Sequence, residues 1–380
     1  MKTTSSKLPI ALLTIILVAA TVLAGCGAPA APAPTAAPAA AEPTAAPAAA
    51  EPTAAPAAAA PTAAPAAAAS SDYNLAWYAT APHPFYENVI VGVEAFEKEF
   101  NIPVEKVIGP DWKQGSQNER VEAMAAKGLK GLTIYPADAS GANGLYEELT
   151  KKGVNVVGFG AYTTSPTTAK FVVATDVKAA AMQATEELIK SMGGKGNILN
   201  VLEILEDSNT VLRKQGIEEV VAKYPDVKII QEISGMSTIE EATTKIGDAL
   251  SANIDKVDGV IATGYTTSVG IAQVLSEYKS KGGNRTIHAV GIDTDPVVMK
   301  AIEEGGLTGT IVQNPYGMGY LTPLLLKYLA DGYTPKDGAY GINAGTVYAS
   351  KDNLATYQDE MMKITEGIKA DLLTKYLEKK

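Results

Sequence analysis

The chain has 380 residues, 46% of them hydrophobic and 19% charged, with 32 Lys and Arg against 42 Asp and Glu and a formal net charge of −10. That acidic balance argues against nucleic acid as a partner, because a phosphate backbone is held by clustered cations. A single cysteine excludes disulfides within the chain, and two histidines give little support to a metal site or to acid–base catalysis.

In chain order, Lys2 and Lys7 precede an apolar run from Ile10 to Ala24 that ends in Leu23-Ala24-Gly25-Cys26. The run has the length of a secretory h-region and is short for a membrane span. Residues 1–25 are therefore read as a signal peptide that resembles a bacterial lipoprotein signal. The resemblance implies that Cys26 is acylated and becomes the first residue of a protein held at a membrane surface, outside the cytoplasm. Residues 26–71 are almost wholly Ala and Pro with scattered Thr, and Ala-Glu-Pro-Thr-Ala-Ala-Pro recurs at Ala41–Pro47 and Ala50–Pro56. Too few bulky apolar side chains are present to offset ordering entropy, and frequent proline opposes helix. The segment reads as a semi-rigid tether with a reach of roughly 100 Å at about 3.1 Å per residue.

Charged, aromatic and β-branched residues in globular proportion begin at Asp72. Apolar strands are predicted at Leu75–Thr80, Val104–Ile108, Gly131–Tyr135 and Val154–Phe159, with helices at Phe85–Phe100, Ser116–Lys127 and Ala142–Lys152. A second series follows. Its strands are at Ile198–Leu202, Val227–Ile233, Gly259–Thr263 and Ile287–Gly291, and its helices at Lys178–Met192, Val211–Tyr224, Ile239–Ala252, Ser268–Lys281 and Pro296–Glu304. The alternation predicts an α/β fold of two doubly wound parallel-sheet lobes, with a ligand cleft at the carboxyl ends of the strands. Residues 351–380 carry spaced apolar positions, read as a helix packed on the second lobe.

Several segments, in order and spacing, resemble the periplasmic sugar-binding proteins of the ribose-binding type, substrate receptors of ABC importers. They are Pro84-Phe85-Tyr86, Arg213-Lys214-Gln215-Gly216-Ile217, Val290-Gly291-Ile292-Asp293 and Gly309-Thr310-Ile311-Val312-Gln313-Asn314-Pro315. The resemblance implies a type I periplasmic-binding fold whose lobes close on a ligand about a three-segment hinge. Crossings are expected near Thr175-Asp176, Gln313-Asn314 and Gly338–Thr346. The lobes are then 72–176 with 314–345, and 177–313 with 346–380. It also implies capture of a monosaccharide or related polyol by a monomer without cofactor, and delivery to an ABC permease.

A sugar offers paired hydroxyls and apolar C–H faces, so its site needs planar hydrogen-bonding groups and aromatic plates. Asp293 ends an apolar strand where it can accept from two hydroxyls, and Arg213 can donate as a fork. In the family both positions contact the sugar, as does that of Gln313. His83, Phe85 and Tyr86 occupy the loop where the family places a polar residue and stacking aromatics. Each has a plainer alternative: Asp293 as a cap for the helix at Pro296, Arg213 as a surface partner of Glu218 or Glu219, His83 as a loop residue, Phe85 and Tyr86 as core.

Two departures bear on ligand identity. Gly160-Ala161-Tyr162 stands where the ribose pattern has Asp-Arg, and Gly264-Tyr265 where it has Asn-Asp. Ribose itself is therefore not expected, and Tyr162 and Tyr265 join the candidate site. Trp112 and Tyr135 are each read as stacking surface or core; Trp112 is added to the site and Tyr135 is left out. No Gly-x-Ser-x-Gly elbow or phosphate-binding loop supports an enzyme. A competing reading is a receptor that binds autoinducer-2 or a nucleoside and signals to a membrane partner, since the same fold serves both.

Overall fold

The computed structural model describes residues 73–205 and 207–379. The signal segment, Cys26 and the tether lie outside them. In chain order the first elements are β1 (Leu75–Ala79), α1 (Pro84–Phe100), β2 (Val104–Ile108), α2 (Gln114–Ala125), β3 (Gly131–Ile134), α3 (Ala142–Lys151), β4 (Asn155–Phe159) and β5 (Phe171–Ala174). There follow α4 (Val177–Ser191), β6 (Gly196–Val201), α5 (Ser208–Val221), β7 (Val227–Ile233), α6 (Ile239–Asn253), β8 (Gly259–Ala262), α7 (Tyr265–Ser280), β9 (His288–Ile292), α8 (Pro296–Glu303) and β10 (Gly309–Gln313). The chain ends in α9 (Pro315–Ala330), β11 (Tyr333–Pro335), β12 (Gly341–Asn343), β13 (Thr346–Ser350), α10 (Tyr357–Asp371), a π-helical turn (Leu372–Tyr376) and β14 (Leu377–Lys379).

Two six-stranded sheets result, ordered β12-β5-β4-β3-β1-β2 and β13-β10-β9-β8-β6-β7. Every pairing in the first is parallel, whereas in the second β13 runs antiparallel to β10. Helices cover the sheets, so β1, β3, β5, β8 and β10 are buried at every position, the condition that requires near-continuous apolar strands. Helix α1 shows how sequence sets packing. Pro84 begins it, His83 Nδ1 accepts from Phe85 N–H at 3.2 Å as its cap, and Tyr86, Val89, Val93 and Phe96 line one buried face. Each such side chain contributes about 1.5–3 kcal/mol on leaving water.

The chain passes between the sheets after β5, after β10 and after β12, and polar bonds tie these passages together. Asp176 caps α4 by accepting from Ala179 N–H at 3.0 Å, and its own N–H donates to Asn343 Oδ1 at 3.4 Å. Buried Asn314 donates through Nδ2 to Ala344 O at 2.8 Å and to Thr365 Oγ1 at 2.9 Å.

The C-terminal segment departs from expectation. Its helix α10 touches both lobes: Met361 joins Val312, Val347 and Ala349 of the second, while Ile368 packs against the first lobe's core and Lys369 pairs with Glu99 of α1 at 2.9 Å. Beyond it, however, Leu372 and Leu377 are buried in the first lobe's core and β14 pairs with β11. Residues 346–380 are therefore not all second lobe: the tail straps both, because the apolar Leu372 and Leu377 fall beyond the hinge and bury on the far side.

Candidate ligand-binding site

The carboxyl ends of the parallel strands turn both sets of loops toward one cleft. From the first lobe come an aromatic floor and wall. Trp77 stacks on Phe159 at 5.3 Å between ring centroids, and Tyr86 meets Trp77, Phe159 and Tyr135 edge-on at 6.0, 6.1 and 5.7 Å. Trp112 stands against Tyr135 at 5.6 Å and is 51% exposed, which puts it at the rim. Burial of Tyr86 and Tyr135 raises both phenol pKa values, so both stay protonated and can donate.

The second lobe supplies polar groups. Asp293 follows β9 with φ +76, and its Oδ1 accepts from Gln313 Nε2, at the end of β10, at 2.6 Å. Burial raises the Asp293 carboxyl pKa, against the opposing pull of Arg213, the Gln313 bond and His83. Arg213, on α5, is only 6% exposed, and its Nε is buried without a partner. Glu203, two residues beyond β6, accepts at Oε1 from Thr266 N–H at 2.9 Å. Burial raises its carboxyl pKa too, with Arg213 opposing. Tyr265 donates to Asp295 Oδ2 at 2.7 Å and lies edge-on to His83 at 5.6 Å, from opposite lobes. Burial lowers the His83 pKa, with Asp293 opposing, which favours the neutral ring.

A pocket between the lobes is lined by Phe85 and Asn88 on one side and by Tyr265, Asp293, Val312 and Gln313 on the other. Asn209 also links the lobes, donating through Nδ2 toward Tyr135 OH and Gly160 O at 3.4 Å each. Gly160 is required there: its φ is +75, and a Cβ would sit 2.6 Å from the Tyr135 ring.

The structure thus brings His83, Phe85, Tyr86, Trp112, Arg213, Tyr265, Asp293 and Gln313 to one cleft. Tyr162 is not among them. It packs on Tyr340 at 6.1 Å beside Gly341, where the chain nears its last passage between sheets. The plainer alternatives separate as well. Asp295, not Asp293, caps α8 by accepting from Val297 N–H at 2.8 Å. Glu218 and Glu219 pair with Lys214 and Lys178, leaving Arg213 to the cleft. Tyr86 and Phe85 are at once packed in the first lobe's core and adjacent to the cleft.

Sequence reading missed Glu203, Asn88 and Asn209 and set Tyr135 aside. Tyr135 had a usable signal, an aromatic directly after a buried strand. Asn88 also had one, three residues from Phe85 on one helical face. Chemically, the cleft offers carboxylate and amide acceptors, a guanidinium donor and aromatic faces, a set suited to a neutral polyhydroxylated molecule. Among the described residues no group of His, Cys, Asp or Glu is placed to hold a metal ion.

A xylitol-binding protein of Mycolicibacterium smegmatis is 29% identical over 199 residues, 52% of this chain and 56% of that protein. A D-allose-binding periplasmic protein of Escherichia coli is 22% identical over 261 residues, 63% of this chain and 78% of that one. The chain spans about half the length of the first of the curated relatives it matches. Among solved structures, a solute-binding protein of Burkholderia graminis in complex with D-arabinose superposes with TM-score 0.68 at 19% identity, covering 76% of this chain and 99% of that one. One from Bacillus halodurans with bound myo-inositol gives 0.68 at 15% identity, covering 77% and 100%. These likenesses show the type I periplasmic-binding fold. The profile of the periplasmic binding protein domain matches residues 76–334, well over half of the chain, and the protein belongs to that family.

Proposed function

We propose that this protein is an extracytoplasmic solute-binding lipoprotein that captures a monosaccharide or related polyol between its lobes and delivers it to an ABC importer permease. The observation that carries the reading is Arg213. A guanidinium with a buried, unpartnered Nε is costly. Its place beside the Asp293–Gln313 pair and opposite an aromatic wall suits a ligand with adjacent hydroxyls and an apolar face. His83, Phe85, Tyr86, Trp112, Tyr265, Asp293 and Gln313 complete the proposed site, with Tyr135 added and Tyr162 left outside it. Relatives that bind xylitol and D-allose support the ligand class. The Leu-Ala-Gly-Cys signal and the Ala/Pro tether support anchoring through Cys26, which leaves the binding domain free to meet a permease.

Thermal-shift screening of monosaccharides and polyols tests the reading, because a ligand bound only by the folded state raises Tm. At least one carbohydrate is expected to do so. A nucleoside or autoinducer-2 shifting Tm while no carbohydrate does would overturn it.

A further inference from the structure

Strands β6 and β8 pair in parallel with Val201 opposite Ala262, so two residues on, Glu203 lies beside Gly264. Gly264 has φ −173 and ψ −171, extended backbone that any residue adopts, so backbone conformation does not demand glycine there. The obstacle is Glu203 itself: a Cβ at 264 would sit 2.5 Å from its Cδ. The Glu203 side chain fills the room that a side chain at 264 would use. It also takes over that residue's task. Gly264 is the N-cap of α7 and has no side chain to accept from the exposed N–H groups of the first turn. Glu203 Oε1 accepts from Thr266 N–H instead, at 2.9 Å, while Glu203 N–H donates to Thr263 Oγ1 at 3.2 Å.

Capping accounts for one carboxylate oxygen. The other, Oε2, has no hydrogen-bond partner among the described residues. The residue stands just past the carboxyl end of β6, where the loops face the cleft, and the charges of Arg213 and Asp293 act on its carboxylate. A carboxylate fixed by one oxygen, with the second free among binding groups, is an acceptor already oriented before a ligand arrives.

We propose that Glu203 is a further ligand-binding residue that sets specificity, its Oε2 accepting a hydrogen from one hydroxyl of the bound polyol. The assignment rests on reading the cleft as a carbohydrate site. It predicts rejection of the analogue lacking that hydroxyl, since a buried acceptor would be left unpaired.

The test uses the full chain and whichever of xylitol, D-allose, D-arabinose and myo-inositol raises its Tm most, together with the monodeoxy analogues of that probe. Titration calorimetry of the wild type is expected to show one analogue binding about tenfold or more weakly than its parent. Glu203→Gln keeps the cap through its amide oxygen, so its unliganded Tm stays within about 2 °C. It should bind the parent about tenfold more weakly and no longer discriminate against that analogue. The double variant Glu203→Ala/Gly264→Asn returns the cap to position 264. It should recover the stability lost in Glu203→Ala alone without recovering discrimination, which separates a cap from a ligand contact. Wild-type discrimination retained in both variants overturns the assignment alone; no Tm shift in the wild type with any of the four probes overturns the carbohydrate reading and the assignment with it.

Discussion

Asp293→Asn isolates the chemistry of the carboxylate from its structural setting. The backbone at 293 has φ +76, a region where Asn is tolerated and Ala is strained by about 1–2 kcal/mol. An Asn carbonyl can still accept from Gln313 Nε2, now at 2.6 Å from Oδ1. Burial raises the Asp293 pKa above 3.8, so the native state binds a proton more readily than the unfolded chain. Stability from this group is therefore fully present below pH 3.8 and is lost as pH rises through the folded value. At neutral pH the ionised carboxylate is a cost that Asn removes, and unliganded Asp293→Asn should match or exceed the wild-type Tm. The Tm difference should grow from pH 4 to pH 7. Binding responds oppositely. A carboxylate accepting from two hydroxyls makes charge-assisted bonds, and weakening both by about 1–1.5 kcal/mol each raises Kd roughly 30- to 150-fold. Asp293→Ala adds left-handed strain and an unpaired Gln313 amide, and should lose roughly 2–5 kcal/mol of stability. Circular dichroism gives Tm and titration calorimetry gives Kd. An Asp293→Asn variant that binds within about threefold of wild type, or unfolds as readily as Asp293→Ala, would refute the reasoning.

Further outcomes are expected elsewhere. Gly160→Ala carries a penalty of about 1–2 kcal/mol from its positive φ and pushes the Tyr135 ring from its place, so both denaturant midpoint and ligand affinity should fall; an unchanged midpoint would contradict the packing described. Leu377→Ala empties a fully buried position under the C-terminal strap and should cost about 2–5 kcal/mol in chemical denaturation, where a purely peripheral tail would cost almost nothing. Cys26→Ser should abolish incorporation of labelled fatty acid and move the protein from the detergent-rich to the aqueous phase on partitioning; labelling that persists would exclude this anchor.

The two-lobed architecture was legible because buried parallel strands and amphipathic helices carry strong, different periodicities. What escaped reading has physical causes. Strand β5 has only four residues and follows the Thr/Ser/Pro-rich stretch 162–168. Helix α9 is buried over most of its length and contains Gly317, Gly319 and Pro323, so it shows neither a polar face nor helical composition. Of the proposed site, Asp293, Gln313 and Arg213 carried local motifs, and the structure places them near one another. Glu203 carried none, since its place beside Gly264 arises from strand register, a relation that no local pattern records. Tyr162 is the reverse case. A tyrosine three residues past a strand end was read as cleft surface, but beyond the positive φ of Gly160 its ring lies against Tyr340.

The central claim is that Arg213 and Asp293 hold a carbohydrate between the lobes. Titration calorimetry of wild type and Arg213→Met against xylitol, D-allose, D-arabinose and myo-inositol tests it most directly. Saturable binding of at least one by the wild type, abolished in a variant that remains folded, is the predicted result. Wild-type affinity in Arg213→Met, or binding of a nucleoside where every carbohydrate fails, would contradict it.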